Sequence, residues 1–503
     1  MIAFETDWLK RWGQYTPKRL ALREHGRAIE WSYSEMNRRV NALAHYLLEE
    51  LKLQRGDRIA VYSKNRAEYV FLFFACAKSG LVLVPLNFRL MPRELDTLIQ
   101  DADPQLLFYE SEFAVMVEKL RTLAAIPRRL PFESITPFLT GPHQEESFAP
   151  DRPVGEEDLV MILYTAGTTG LSKGAMINHR MLYWNAINTH LRLDITSMDH
   201  TQSFSPFFHT GGWNVLLTPF FLHGASHTLL DKFDADLILR LMESERTTLL
   251  FGVPTMMQMM ADSPLFDQVD LSTVRYAIVG GAPMPIPLIN KWHAKGIYIR
   301  QGYGLTEVGP NCYSLHQDDA VRKRGSIGFP NFYFEAKVMD DDGGELGDEQ
   351  VGELWLKSPV VTPGYWRNQE ATRQAISDGW FHTGDMVRRD AEGYYYVVDR
   401  KKNMLISGAE NVYPAEVERF LYTHEAIKEV AVIGVPDEKW GEVGKAFVVL
   451  KPGFSRTAEE IIHFCKGELA KYKIPKYVQF LDELPKTEAG KINLLALKGQ
   501  ALE

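Results

Sequence analysis

Short apolar runs alternate with longer mixed stretches up to about residue 400, the rhythm of layered strands and helices. Arg58-Ile59-Ala60-Val61-Tyr62 and Leu81-Val82-Leu83-Val84-Pro85 read as buried strands flanking an apolar helix. The most apolar stretch, Tyr69 to Leu86, is broken by Lys78 and by Ser79-Gly80. A membrane span needs about 20 mostly apolar residues, so this stretch predicts a core helix, a turn and a strand. Pro92 to Ala102 has the spacing of an amphipathic helix and precedes the strand Leu106-Leu107-Phe108-Tyr109. The runs Leu159–Leu163, Tyr276–Val279 and Ile297–Ile299 predict further strands, each leading toward glycines. Ile126 to Arg152, rich in Pro, Gly and polar residues, predicts a surface excursion. Near Asp399 the texture changes to a small unit with strand candidates Glu429–Val435 and Lys445–Leu450. The expected class is therefore α/β and α+β: a large multi-sheet N-terminal domain, 1–398, and a small C-terminal α+β domain, 399–503. The boundary falls at Asp399-Arg400, where charge separates Tyr394–Val398 from Met404–Ile406.

Composition narrows the class of partner more than the fold. A chain of 503 residues exceeds what one core organises. Its net charge of −9 leaves no basic footprint for nucleic acid. Cys76, Cys312 and Cys465 lie far apart without CxxC spacing, which argues against a disulfide framework or a zinc site. The start, Met1 to Asp7, lacks a basic region followed by an apolar core, so a cytoplasmic protein without a transmembrane segment is expected. Arg128-Arg129 between apolar residues leaves peripheral membrane contact open, and a homodimer stays open as well.

Chemistry concentrates after the Leu159–Leu163 run, in Tyr164-Thr165-Ala166-Gly167-Thr168-Thr169-Gly170-Leu171-Ser172-Lys173-Gly174. Glycines let backbone N–H groups approach phosphate oxygens, hydroxyls donate further hydrogen bonds and the lysine supplies charge. It is not a Walker A loop: two residues separate Gly170 from Lys173, and Gly174 stands where Ser or Thr would reach magnesium. Other polar-glycine clusters follow in order. They are Gly280-Gly281-Ala282-Pro283, Gln301-Gly302-Tyr303-Gly304-Leu305-Thr306-Glu307, Gly352-Glu353-Leu354-Trp355, Trp380-Phe381-His382-Thr383-Gly384-Asp385, Asp399-Arg400-Lys401-Lys402, Ser407–Pro414 and Pro485–Lys491.

This ordered set resembles the adenylate-forming superfamily of acyl- and aryl-CoA synthetases, peptide-synthetase adenylation domains and luciferases. The resemblance implies ATP, Mg²⁺ and CoA as co-substrates and cofactor, and a mobile C-terminal domain that swings on Asp399. It implies that Thr165, Gly167, Thr168, Thr169, Gly170 and Lys173 hold the departing phosphates, with Glu307 and Thr165 at the metal. Gly281, Ala282, Pro283, Gln301, Gly302, Tyr303, Gly304 and Thr306 would surround AMP, with Asp385 and Arg400 on its ribose. Lys491, the lysine of the final motif, would join Thr306, Glu307 and His209 as a catalytic group, bridging substrate carboxylate and α-phosphate.

Pro206-Phe207-Phe208-His209-Thr210-Gly211-Gly212-Trp213 resembles the acyl-pocket motif of CoA ligases, with His209 beside the acyl carbonyl. Peptide-synthetase domains carry an Asp near this point; its absence disfavours an amino-acid substrate. Trp184, His209, Trp213, Phe251, Val308 and Gly309 are the expected pocket lining, mostly apolar, with small Gly304 and Gly309 leaving room for a long acyl chain. Ser407, Gly408, Ala409 and Trp440 are the expected CoA contacts. Ala409 departs from the family, where a second glycine is usual, as do Ala166 for serine and Ser172 for proline. The expected activity is ATP-dependent acyl-CoA synthesis from a medium- to long-chain fatty acid through acyl-AMP. An aryl acid such as a benzoate or cinnamate, or transfer to a carrier protein, are the alternatives.

Overall fold

A computed structural model describes residues 5–165, 172–281, 284–407, 410–486 and 492–501. The chain divides into two compact units, Met1–Glu335 with Leu356–Phe381, and Ala336–Trp355 with His382–Glu503. It passes between them within the strands Glu335–Met339, Val351–Lys357 and Trp380–Arg389.

Among the described residues the larger unit carries three sheets. The first runs Arg128–Pro131, Leu106–Tyr109, Arg58–Tyr62, Val82–Leu86, Leu159–Thr165 and Lys173–Asn178; it is parallel except for its last pair. The second orders Ile29–Ser32, Leu20–Glu24, Ser226–Leu229 and His200–Ser203. The third sets Leu249–Gly252, Tyr276–Val279 and Tyr298–Tyr303 in parallel, then adds Tyr313–Ser314 and Phe329–Pro330 antiparallel.

The helix Ala67–Ser79 lies at the centre of this unit's main core, and every one of its residues is buried. Apolar residues on all its sides make that placement favourable, because no face prefers water. Its two charges sit at its ends with the signs that suit the helix dipole. Glu68 in the first turn accepts from Arg27 at 2.8 and 2.9 Å, from Arg66 at 2.9 and 3.2 Å and from Thr136 at 2.6 Å. Burial pushes its carboxyl upward, but the two guanidinium groups prevail and hold it at about 2. Lys78 in the last turn donates to Asp7 at 2.7 Å, Asn37 at 2.7 Å and Asn41 at 2.9 Å.

The expected excursion at 126–152 proves instead to contain an edge strand, Arg128–Pro131, and short helical turns that bury Phe132, Ile135, Phe138 and Leu139. Its prolines and glycine break the chain into pieces too short for a periodic signal, while the apolar residues still reach the core. Arg128 donates to the Leu51 carbonyl and Arg129 to that of Leu123 at 2.8 Å. Among the described residues no helix is long and apolar enough to cross a membrane. Cys76, Cys312 and Cys465 are all buried and unpaired.

In the smaller unit, Tyr395–Arg400 pairs antiparallel with Trp380–Arg389. A second sheet orders Glu410–Val412, Leu405–Ser407, Gly441–Leu450 and Ile427–Asp437, with Tyr477–Phe480 parallel to Gly441–Leu450. The two strands expected here are both present and longer, forming one hairpin whose ends meet at Asp437 and Gly441.

Buried titratable groups give the units opposite pH responses. In the larger unit, burial pushes the imidazoles of His179 and His223 down to about 4 and that of His227 to about 3. Unfolded imidazoles take up protons near 6.5, so between about pH 6.5 and 4 the unfolded chain binds more protons and stability falls as pH falls. These three groups outnumber the opposing carboxyl of Glu24, which burial raises. In the smaller unit the carboxyl head of Glu418 is enclosed, and burial pushes it up to about 7 despite a 2.7 Å bond from the Val432 amide. Its contribution is complete below about pH 4.5 and is lost as pH rises toward 7. Calorimetry from pH 7 to pH 5 should therefore show the larger unit's transition weakening while the smaller unit's gains. Parallel movement of both would contradict these assignments.

Candidate active site

The parallel strands of the third sheet end side by side, with Gly252 opposite Val279 and Val279 opposite Gln301. Carboxyl ends of parallel strands are the usual place for a ligand crevice. Gly280-Gly281 leave the middle strand here, close to Gly302: a Cβ added to Gly280 would lie 3.6 Å from the Gly302 carbonyl oxygen. Tyr303 meets Tyr313 edge-on at 5.9 Å. Gln301 is buried, and among the described residues its Oε1 has no hydrogen-bond partner. The structure thus brings Gly281, Gln301, Gly302 and Tyr303 together, whereas Ala282 and Pro283 lie outside the described residues.

The residues expected at phosphate begin on the antiparallel strands Leu159–Thr165 and Lys173–Asn178, which pair Thr165 with Lys173 on either side of the glycine-rich segment. Gly167, Thr168, Thr169 and Gly170 lie outside the described residues. The Thr165 hydroxyl is 3.3 Å from the Lys173 carbonyl and 3.4 Å from Glu307 Oε1. Glu307 occupies a single 3₁₀ turn, Thr306–Val308, fixed by a 2.7 Å bond from the Thr362 amide to its carbonyl.

Tyr365, which sequence reasoning missed, completes this group. Its hydroxyl donates to Glu307 Oε1 at 3.0 Å, and the Lys173 ammonium stands 5.1 Å from its ring centroid. The segment 362–366 runs along the strand Lys173–Asn178: Tyr365 bridges to Ala175, and Trp366 N donates to the Gly174 carbonyl at 2.8 Å. Gly364 makes the approach possible, with φ of +135° and only 2.6 Å between an added Cβ and Thr372 Cγ2. The available signal was Pro363-Gly364 set before two aromatic residues in a polar stretch.

The acyl side departs from expectation in three respects. Trp213 is fully buried, stacks on Phe207 at 4.3 Å and packs against Phe73 and Tyr69, so it belongs to the core. Gly304 and Gly309 leave no added room: a Cβ at Gly304 would be 2.3 Å from Pro310 C, and one at Gly309 would be 2.8 Å from Asn185 Oδ1 and Val360 Cγ1. They are small because the chain folds tightly on itself, with Gly309 at φ +73°. Val308 is buried inside the same turn. The remaining residues keep open positions. His209 is exposed, its ring 4.5 Å from Phe208; Trp184 faces Tyr333 at 4.6 Å; Phe251 is partly buried beside Gly211. Tyr333 was not foreseen; its amide donates to Asn188 Oδ1 at 3.0 Å.

In the smaller unit, strand pairing sets Asp385 opposite Arg400, and Arg400 Nε lies 2.6 Å from Asp385 Oδ1. The Asp399 carboxylate accepts from the amides of Arg400 at 2.6 Å and Ala415 at 2.8 Å, and burial raises its pKa. Ser407 pairs with Gly441 at the hairpin end, next to the exposed Trp440, whose ring lies 4.8 Å from the Lys439 ammonium. Gly408, Ala409 and Lys491 lie outside the described residues.

Two strands that pair Thr165 with Lys173, a carboxylate at Glu307 next to Thr165 and a glycine turn at a strand end are what a nucleotide-activating enzyme requires. The chain belongs to the AMP-binding enzyme family, matching it over residues 9–366 and matching the AMP-binding enzyme C-terminal domain over residues 416–491. It is an AMP-forming acid–thiol ligase. It is 39% identical over 494 residues to a feruloyl-CoA synthase of Amycolatopsis sp, covering 98% of this chain and 97% of that one. To the long-chain-fatty-acid–CoA ligase FadD13 of Mycobacterium tuberculosis it is 35% identical over 498 residues, covering 98% and 97%. The crystal structure of ATP-bound MatB from Rhodopseudomonas palustris superimposes with a TM-score of 0.90 at 32% identity, covering 99% of both chains.

Gly309→Ala tests the packing reading. A side chain at positive φ pressed against Asn185 and Val360 should cost about 2–4 kcal/mol and displace Glu307. Denaturant unfolding should show the loss, and ATP–pyrophosphate exchange should fall at least about tenfold. Unchanged stability with altered substrate length preference would restore the view that Gly309 provides room.

Proposed function

We propose that this ligase joins an aromatic carboxylic acid, of arylpropenoate or arylacetate size, to CoA through an acyl-AMP intermediate. One observation carries the choice of acid. The turn Gly304 to Gly309 is filled by its own backbone, Asn185 and Val360, and of the expected lining residues that stay open Trp184, with its neighbour Tyr333, and Phe251 are aromatic. Planar rings stack favourably against such walls, and the similarity to a feruloyl-CoA synthase supports the same reading. A medium- to long-chain fatty acid is the second reading, supported by the similarity to FadD13.

In this scheme the residues divide the work of in-line attack by the carboxylate on the α-phosphorus. Lys173 and Thr165 hold the departing phosphates; Gly281, Gln301, Gly302 and Tyr303 receive the adenine end; Asp385 and Arg400 hold the ribose hydroxyls. Glu307 would hold Mg²⁺ together with the ATP phosphates. No group of three or more His, Cys, Asp or Glu gathers among the described residues, which suits an ion that takes one or two carboxylates plus phosphate oxygens. When bound, the ion neutralises charge on the phosphoryl oxygens. Lys491 supplies the cation between carboxylate and α-phosphate. Rotation about Asp399 then withdraws it and brings Ser407 and the Trp440 hairpin to the incoming thiol.

A panel of C2 to C18 fatty acids, benzoates, arylacetates and cinnamates, scored by pyrophosphate release and by CoA-dependent AMP release, tests the function. Highest kcat/KM on aryl acids is expected. Preference for C12 to C18 acids would select the second reading, and release of AMP only with an added carrier protein would reject CoA as acceptor. Lys491→Ala should reduce adenylate formation at least about 100-fold while sparing CoA attack on supplied acyl-AMP. Equal loss of both half-reactions would contradict the assigned role.

A further inference from the structure

We propose that Tyr365 is a positioning residue that holds Glu307 and Lys173 apart and aims the carboxylate, so that neither charge is spent on the other before ATP arrives. The inference rests on the assignment of Glu307 to the metal and Lys173 to phosphate, and adds a residue to that site.

The geometry is specific. Tyr365 OH and Thr165 Oγ1 both address the same carboxylate oxygen, Oε1, at 3.0 and 3.4 Å. Among the described residues Glu307 Oε2 receives no hydrogen bond, so its lone pairs are uncommitted. The Lys173 ammonium lies on the face of the same ring, 5.1 Å from its centroid. A ring face attracts a cation without neutralising it. Lysine and glutamate on adjoining strands and turns would otherwise form an ion pair, and among the described residues these two do not, although each is within reach of Tyr365. One phenol thus binds the anion through its hydroxyl and the cation through its ring.

The placement is built into the backbone. Tyr365 is 8% exposed, so the ring has little freedom. It is anchored at Ala175, two residues beyond Lys173, by the bridge between the segments, and Thr362 in the same segment grips Glu307 through its backbone. The segment therefore contacts both charged residues independently of the phenol. Removing the phenol changes the charges' relation without removing their supports.

Binding measurements on the full-length enzyme separate the two halves of the idea. Dissociation constants for ATP would be determined by titration calorimetry with Mg²⁺ and with EDTA, alongside CoA attack on supplied acyl-AMP as a check on folding. Tyr365→Phe keeps the ring and loses the hydroxyl: ATP binding with Mg²⁺ should weaken about tenfold, the scale of a hydrogen bond to a charged group, while binding in EDTA stays level. Tyr365→Leu removes the spacer as well, so Lys173 closes on Glu307 and binding in EDTA should also weaken about tenfold. In Tyr365→Leu/Glu307→Gln the cation has no carboxylate to close on, and binding in EDTA should return toward the wild-type value. Failure of that return would overturn the spacer role. If Glu307→Gln leaves the Mg²⁺ dependence of ATP binding intact, the metal assignment fails. If Glu307→Gln abolishes it while Tyr365→Phe matches wild type, the metal assignment stands and the aiming role of Tyr365 is wrong.

Discussion

A helix with no face for solvent dictates the layout of the larger unit. Ala67–Ser79 must be covered on every side, and its buried neighbours in the main core come from the first and second sheets and from the helices around them. Its two charges cannot be left unpaired at that depth, because a lone buried ion costs several kcal/mol. Glu68 therefore commits Arg27, Arg66 and Thr136, and Lys78 commits Asp7, Asn37 and Asn41. These partners come from residues far apart in the chain. One helix thus ties the N-terminal segment, the strand connections and the excursion after residue 126 to a single core. The strands Leu159–Thr165 and Lys173–Asn178 of the first sheet are held by that same core.

What was legible in the sequence follows from how local each signal is. Buried strands such as Arg58–Tyr62 and Leu106–Tyr109 declare themselves because every residue after the leading Arg58 is aliphatic or aromatic and the ends carry turn residues. The glycine clusters are equally legible, since chemistry that needs backbone close to phosphate needs small residues in a row. The edge strand Arg128–Pro131 was hidden for the opposite reason: four residues, two of them arginine, show no period, and only pairing with Leu106–Tyr109 makes them a strand.

The site residues that sequence reasoning misplaced share a physical cause. Trp213 and Gly309 stand in motifs associated with a pocket, but adjacency in a motif does not say which way a side chain points. Trp213 turns toward Phe73 and Phe207, and the smallness of Gly309 is consumed by Asn185 and Val360. Tyr365 and Tyr333 escaped notice because their partners, Glu307 and Trp184, are distant in the chain. Contacts of that kind are set by the register of a returning segment, and nothing within the segment itself announces it.

The three cysteines carry a consequence for an enzyme whose second substrate is a thiol. Cys76, Cys312 and Cys465 are all buried, and burial pushes each thiol up, that of Cys465 to about 11. The reactive form of a cysteine is the thiolate, and at neutral pH these side chains hold almost none of it. A protein that works beside an activated acyl group and a free sulfhydryl thus offers no nucleophilic sulfur of its own. It is shielded from self-acylation and from mixed disulfides with its own co-substrate, and its catalytic competence should be indifferent to the redox state of its surroundings.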